Sequence, residues 1–262
     1  MTTVITISNE KGGVAKTTSA LSIGAALAET GHGVLLVDLD PQANLTLAVG
    51  HDPAQSQRTA AEILLDDLPL ASARATTDVE RLDIVPGSGR IELSEQFLPV
   101  RANYAVILRR ALRDGLETDY DFVVIDCPPA LGAITMNGLC AADLLVIPTQ
   151  PEYFSAYALR DMMAIIRRVR RDGNPDLAYR ILVTMLDRRN RSHRNIHEQL
   201  RSTFGDGLLT TVIEIDTKLR ESPIAGVPIT TYKTSTRGAI QYRVLAQELV
   251  QYVREAANRQ PA

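Results

Sequence analysis

The feature that most restricts this chain is the run Lys11-Gly12-Gly13-Val14-Ala15-Lys16-Thr17-Thr18, set between two segments of opposite character. Before it, Val4–Ile7 is a short β-branched run that reads as a buried parallel strand. After it, Thr17–Glu29 has the amphipathic pattern of a helix, closed by Gly31 and Gly33. A strand that turns through glycines directly into a helix is the setting of a phosphate-binding loop. The glycines let backbone N–H groups approach phosphate oxygens, and the helix N-terminus adds the positive end of its dipole.

The strand–helix alternation continues. Val34–Val37 is a second apolar strand, running into Asp38 and Asp40. Further strands are expected at Leu82–Val85, Phe122–Ile125, Leu144–Ile147, Arg180–Met185 and Leu208–Ile213, with helices at Tyr104–Arg113, Ala156–Arg171, Asn195–Phe204 and Gly238–Ala257. Gly50 to Ala75 carries no clear period. This spacing predicts an α/β fold, a mostly parallel twisted sheet with helices on both faces. No internal repeat or linker interrupts it, so residues 1–262 read as one phosphate-loop domain.

Composition excludes several alternatives. An apolar share of 45% and a charged share of 23% are those of an ordinary globular chain. No apolar run approaches the roughly 18 residues a membrane span needs. The N-terminus lacks a basic segment and cleavage site, so a cytoplasmic location is expected. Two cysteines, Cys127 and Cys140, suffice neither for a disulfide framework nor for a zinc cluster.

Within the loop, Lys16 supplies a point charge for β- and γ-phosphates, and the Thr17 hydroxyl is placed for Mg²⁺. Residues 11–18 together form the expected phosphate cradle. Ala15 stands where the standard pattern has its last glycine, and an extra lysine, Lys11, opens the loop. Asp38 and Asp40 lie just past a strand, where ligands of open α/β sheets bind. Phe122-Val123-Val124-Ile125-Asp126 is an apolar run ending in an acid and reads as a Walker B segment.

Lys-Gly-Gly-Val-Ala-Lys-Thr-Thr resembles the deviant Walker A motif of the ParA/MinD ATPases. Asp126-Cys127-Pro128-Pro129, Ile147 to Phe154, and Ser235 to Glu248 also resemble ParA chains, so the likeness covers most of the sequence. It implies ATP and Mg²⁺ as cofactors, with Asp126 holding the metal through water and Asp40 as a further candidate ligand. It implies that Asp40 holds or activates the attacking water. Lys11 is expected to reach the nucleotide of a second subunit, neutralising phosphate charge as an arginine finger does. Expected partners are a second copy with ATP, nonspecific double-stranded DNA and a ParB-like activator, in a nucleoid-associated protein. Iron proteins of nitrogenase type share the loop, but the cysteines here do not match their cluster arrangement.

One departure concerns the base. ParA chains commonly carry Pro-Arg-Asn after the strand at Val212-Ile213, whereas this chain has Glu214-Ile215-Asp216. A carboxylate at Glu214 or Asp216 suits an exocyclic amine of adenine. Carboxylates also read guanine elsewhere, but no Asn-Lys-x-Asp motif occurs, which keeps the expectation at ATP.

Charge is unevenly spread. The chain carries net −3, yet residues 160–201 carry eleven arginines and net +6, leaving −9 for the remainder. This asymmetry points to a nucleic-acid face. Arg188, Arg189, Arg191 and Arg194 resemble the DNA-contacting region of ParA proteins, with Lys218 and Arg220 joining them. Without a recognition helix, binding is expected to follow phosphates rather than sequence. Arg167, Arg168, Arg170 and Arg171 read equally well as a solvated helix face. Two rival functions share the fold: a MinD-like membrane-cycling regulator, and an ATP-dependent ligase of dethiobiotin or cobyrinate type. The C-terminal helix argues against the first, because Ile240, Val244, Leu245, Leu249 and Val253 suit core packing and no lysine cluster flanks them.

Overall fold

Runs of Val, Ile and Leu bounded by loop residues must be covered on both faces, and here they assemble into one sheet. The computed structural model describes residues 2–116, 120–153 and 155–259, without the side chains of 257–259. Phe154, part of the ParA-like stretch, lies outside the described residues. The strands are β1 (Thr3–Ile7), β2 (Val34–Asp38), β3 (Ala75–Thr76), β4 (Leu82–Val85), β5 (Phe122–Asp126), β6 (Leu144–Thr149) and β7 (Ala178–Val183). Their order across the sheet is β3-β4-β2-β5-β1-β6-β7, parallel except for β3, which pairs antiparallel with β4.

The helices are α1 (Lys16–Glu29), α2 (Asn44–Ala48), α3 (Ala60–Asp66), α4 (Leu70–Ala73), α5 (Leu93–Phe97), α6 (Ile107–Gly115), α7 (Ala133–Ala141), α8 (Ser155–Asp172), α9 (Arg191–Phe204), α10 (Lys218–Ile224), α11 (Ile229–Tyr232) and α12 (Arg237–Arg259). On one face, Leu21, Leu27, Tyr242, Leu245 and Leu249 of α1 and α12 pack over Ile5 and Leu36. On the other, α3, α6 and α7 cover Leu35, Val37 and Val123. A third cluster joins α7, α8 and α9 to β6 and β7. Helices on both faces of a mostly parallel sheet are the architecture expected from the alternation.

Register places the chemistry. In the ladder, Asp38 of β2 is level with Asp126 of β5, which in turn is level with Ile7 at the end of β1. The chain therefore leaves three adjacent strands at one edge: into the glycine loop after β1, toward Asp40 after β2, and into Cys127-Pro128 after β5.

Two expectations need correction, and one unassigned stretch proves helical. Leu208–Ile213 is not a strand. It runs beside β7 with parallel bridges at Leu208 and Glu214, and the amides of Leu209 and Ile213 donate to Ile181 and Val183. The Thr210 and Thr211 amides instead donate to the Glu248 carboxylate at 2.7 and 2.9 Å, which interrupts the ladder. On α12, Leu245 and Leu249 are buried as expected, but Ile240 and Val244 are 52% and 48% exposed. The buried stripe is Ala239, Tyr242, Leu245, Ala246 and Leu249, and the other two positions fall beside it. The unassigned stretch Gly50 to Ala75 holds α3, begun by a capping box between Thr59 and Glu62, and α4. Among the described residues, no helix is long and apolar enough to cross a membrane.

Candidate nucleotide site

The glycine loop folds around two left-handed positions, Gly13 at φ 74° and Ala15 at φ 67°. Left-handed backbone suits glycine, and alanine there costs on the order of 1 kcal/mol. Ala15 nevertheless precedes the first residue of α1, so the substitution of the usual glycine leaves the loop's turn intact. No side chain caps α1, leaving its first amides available to a ligand. A Cβ built on Gly12 or Gly13 meets nothing within 4 Å, so open space fronts the loop.

Long-range hydrogen bonds set the loop's shape. Gln150 Nε2 donates to the Gly13 carbonyl at 2.9 Å, and Thr184 Oγ1 to the Val14 carbonyl at 3.1 Å. Asn9 donates to the Pro148 carbonyl at 2.7 Å and accepts from the Lys11 amide at 3.0 Å. With these carbonyls engaged behind the loop, its amides are left to turn forward. Gln150 belongs to the ParA-like stretch noted in the sequence, but Asn9 and Thr184 carry no local signal.

The Lys16 side chain is buried, and its ammonium donates to the Lys11 carbonyl at 2.9 Å. Burial lowers its pKa, while the charges of Asp126 and Asp40 oppose that shift. Asp40 is also buried; its carboxylate accepts the Gln42 amide at 2.9 Å. Asp38 is fully buried and accepts from the Thr46 amide at 2.9 Å, the Thr46 hydroxyl at 2.7 Å and the Asp40 amide at 3.1 Å. Burial nevertheless pushes its carboxyl up to about 6. The Thr46 hydroxyl in turn accepts the Gly87 amide at 2.8 Å, and a Cβ on Gly87 falls 2.8 Å from the Asp38 carboxyl carbon. Glycine is therefore required after β4.

Asp126 is different. Both of its carboxylate oxygens are buried, with no hydrogen-bond partner among the described residues. Burial, and then the neighbouring charge of Asp38, push its carboxyl well up, while the facing Thr17 hydroxyl works the other way. An acid this deep is retained only with a compensating partner. A divalent cation between Thr17 and Asp126, with water completing its shell, fits this oxygen-only donor set. Cys127, next in the chain, is buried, and burial pushes its thiol well up, as expected for a packing residue.

Lys11 bends back onto its own chain, where its ammonium pairs with Glu152 in the loop before α8. The pair is partly solvated, with side chains 26% and 49% exposed.

A small pocket continues from the loop between Ala15, Thr18, Met185, Ile213 and residues 214–216. The two carboxylates expected to read a base there are otherwise engaged. Glu214 accepts from Arg188 Nε at 2.7 Å and Arg237 Nη1 at 2.8 Å. Asp216 accepts the Lys218 amide at 2.9 Å and the Gly238 amide at 2.9 Å, linking the starts of α10 and α12. These residues contribute pocket wall, and their carboxylates also accept hydrogen bonds from within the protein.

The arginines divide into two groups. On α8, Arg168 and Arg171 pair with Asp172, and Arg170 donates to the Leu177 carbonyl. Around α9, whose N-terminus is capped by Asn190, Arg189, Arg191 and Arg194 stand exposed. Arg189 pairs with Asp187, Arg194 donates to the Arg188 carbonyl at 2.6 Å, and Lys218 pairs with Glu221. Arg220 is exposed beside the pocket.

A phosphate-binding loop, two acids level on adjacent strands and a buried lysine define a nucleotide-binding protein of the phosphate-loop class. Residues 2–179 match the model of the AAA domain family, AAA_31. The chain is 39% identical to the sporulation initiation inhibitor protein Soj of Bacillus subtilis, over 94% of this chain and 97% of Soj. It is 35% identical to the chromosome partitioning protein ParA of Caulobacter vibrioides, over 96% and 95% of the two chains. A solved structure described as cobyrinic acid a,c-diamide synthase from Mycobacterium smegmatis, with bound ADP and magnesium, is similar at a TM-score of 0.84 and 36% identity, covering 98% of this chain and 97% of that one. The chain belongs to the AAA_31 family and is a ParA/Soj-like ATPase.

Proposed function

We propose that this ATPase works as a nucleotide-switched DNA clamp in a partition system. Two copies enclose two ATP molecules, the pair binds duplex DNA without regard to sequence, and hydrolysis stimulated by a ParB-like partner releases it. In the cell this makes it nucleoid-associated and able to segregate or position a cargo. The observation that carries the DNA reading is the exposed basic surface at the start of α9, with Arg188 pairing to a wall residue of the base pocket and Arg220 beside it. Charge that binds DNA thus lies at the rim of the nucleotide site, and a dimer doubles it.

In this reading the loop amides of residues 12–18 and the Lys16 ammonium bind the phosphates. Asp40 holds the attacking water in line with the terminal phosphorus. Lys11 leaves Glu152 and crosses to the nucleotide of the other subunit, neutralising charge as the bond to the leaving oxygen breaks. Thr17 and Asp126 would hold magnesium, which when bound would offset phosphate charge.

A second reading has one specific observation behind it, the cobyrinic acid a,c-diamide synthase description of the Mycobacterium smegmatis structure. That activity needs a small-molecule acceptor and no DNA. Binding to a random-sequence duplex with ATP, ADP or no nucleotide, across a salt series, separates the two. ATP-dependent binding that weakens steeply with salt supports partition. Absence of DNA binding in a chain that still binds ATP favours the ligase.

A further inference from the structure

Glu214 pairs not only with Arg188 but also with Arg237, a contact the partition reading does not use. Its side chain is only 13% exposed, whereas those of its partners Arg188 and Arg237 are 64% and 60% exposed. Gln241 of α12 fixes it from both sides, accepting from the Glu214 amide at 2.9 Å and donating to Oε1 at 3.3 Å. The acid is thus immobile and largely dry, and it holds two arginines from separate elements, one before α9 and one at the start of α12.

We infer that Glu214 is a charge brake on DNA binding, and that Arg237 is a DNA-phosphate contact acting with Arg188. The inference rests on the partition reading of the same surface. Glu214 engages Arg188 through Nε and Arg237 through Nη1. Both guanidinium groups have five N–H donors, so donors remain for a phosphate. The phosphate must share each cation with a carboxylate that is nearly desolvated and cannot turn away. One acid therefore reduces the attraction of two arginines at once. Because residues 214–216 wall the pocket beside the phosphate loop, the same acid joins the DNA surface to the nucleotide site. A rigid neutral residue in its place keeps the shape and removes the competition.

The test is binding of a fluorescent random-sequence duplex by the full chain with ATP and magnesium, across a salt series, for the wild type, Glu214→Gln and Glu214→Gln/Arg188→Ala. Glu214→Gln should bind about fivefold more tightly at low salt and show a steeper salt dependence, the size of one released surface ion pair and its phosphate contact. Adding Arg188→Ala, or Arg237→Ala, should remove most of that gain. If Glu214→Gln does not fold to the wild-type thermal midpoint, Glu214→Ala serves, with the same expected gain. Equal or weaker binding by a folded Glu214 variant overturns the brake while leaving the partition reading in place. Gain that survives loss of Arg237 overturns that residue's assignment. A wild type that binds ATP but no DNA in any state overturns both.

Discussion

The ammonium of Lys11 rests on the carboxylate of Glu152, 141 residues downstream, and both belong to the same chain. A lysine held this way cannot at the same moment serve a neighbouring subunit. Dimer assembly must therefore break an ion pair that is partly exposed, a contact worth about 1 kcal/mol at most. Each dimer breaks two such pairs, so Glu152→Gln should raise ATP-dependent dimer formation by up to about thirtyfold, read by analytical ultracentrifugation. Dimerisation no stronger than in the wild type contradicts a holding role for Glu152.

Thr46 links β2 to β4 through one hydroxyl, donating to Asp38 and accepting from the Gly87 amide. Thr46→Val keeps the shape, leaves the buried Gly87 amide without its acceptor and takes one of three donors from Asp38. It should cost about 1–3 kcal/mol in urea unfolding. A loss well under that range means the two groups find other partners.

Asp126 is a buried acid with no hydrogen-bond partner among the described residues, and its carboxyl is raised well above the usual value by burial. Its unfolded value is the ordinary 3.8. Below that pH both states are protonated and folding carries no penalty. As pH rises toward the folded value, the unfolded chain ionises first and stability is lost. Asp126→Asn should therefore raise the thermal midpoint without nucleotide or divalent metal, and by more at pH 8 than at pH 5. The same change should abolish stabilisation by magnesium with nucleotide. A lower midpoint at pH 8 contradicts the reading of Asp126 as an acid kept for a cation.

Burial pushes the Cys140 thiol up to about 11 and raises that of Cys127 well above its ordinary value. Neither should react with iodoacetamide in the native chain at pH 8, and both should in denaturant, as counted by mass spectrometry. Rapid native labelling of Cys127 contradicts its assignment as packing.

The phosphate loop and the acids were legible because each sits at the end of an apolar run, where a parallel sheet presents its ligands. Asn9, Gln150 and Thr184 were not read as loop supports, since they meet it across 137 to 170 residues or, for Asn9, through the carbonyl of Pro148. Leu208–Ile213 has the composition of a strand, and what denies it a ladder is Glu248, far away in sequence. The α12 pattern failed because three of its five apolar positions fall outside the buried stripe, Ile240 and Val244 being exposed and Val253 half-buried. Glu214 was read for its carboxylate alone, and chain sequence carries no sign that Arg188 and Arg237 converge on it.

The central claim is that each ATP is hydrolysed by Asp40 of one subunit and Lys11 of the other. Lys11→Ala and Asp40→Ala should each bind ATP and fail to hydrolyse it. In a mixed dimer, the Lys11→Ala subunit keeps its own Asp40 and receives Lys11 from its partner, so one competent site is rebuilt. Steady-state ATP hydrolysis by the two variants, measured separately and mixed, is the direct test. Activity that appears only on mixing is the predicted result; mixed dimers that form and remain inactive contradict the account.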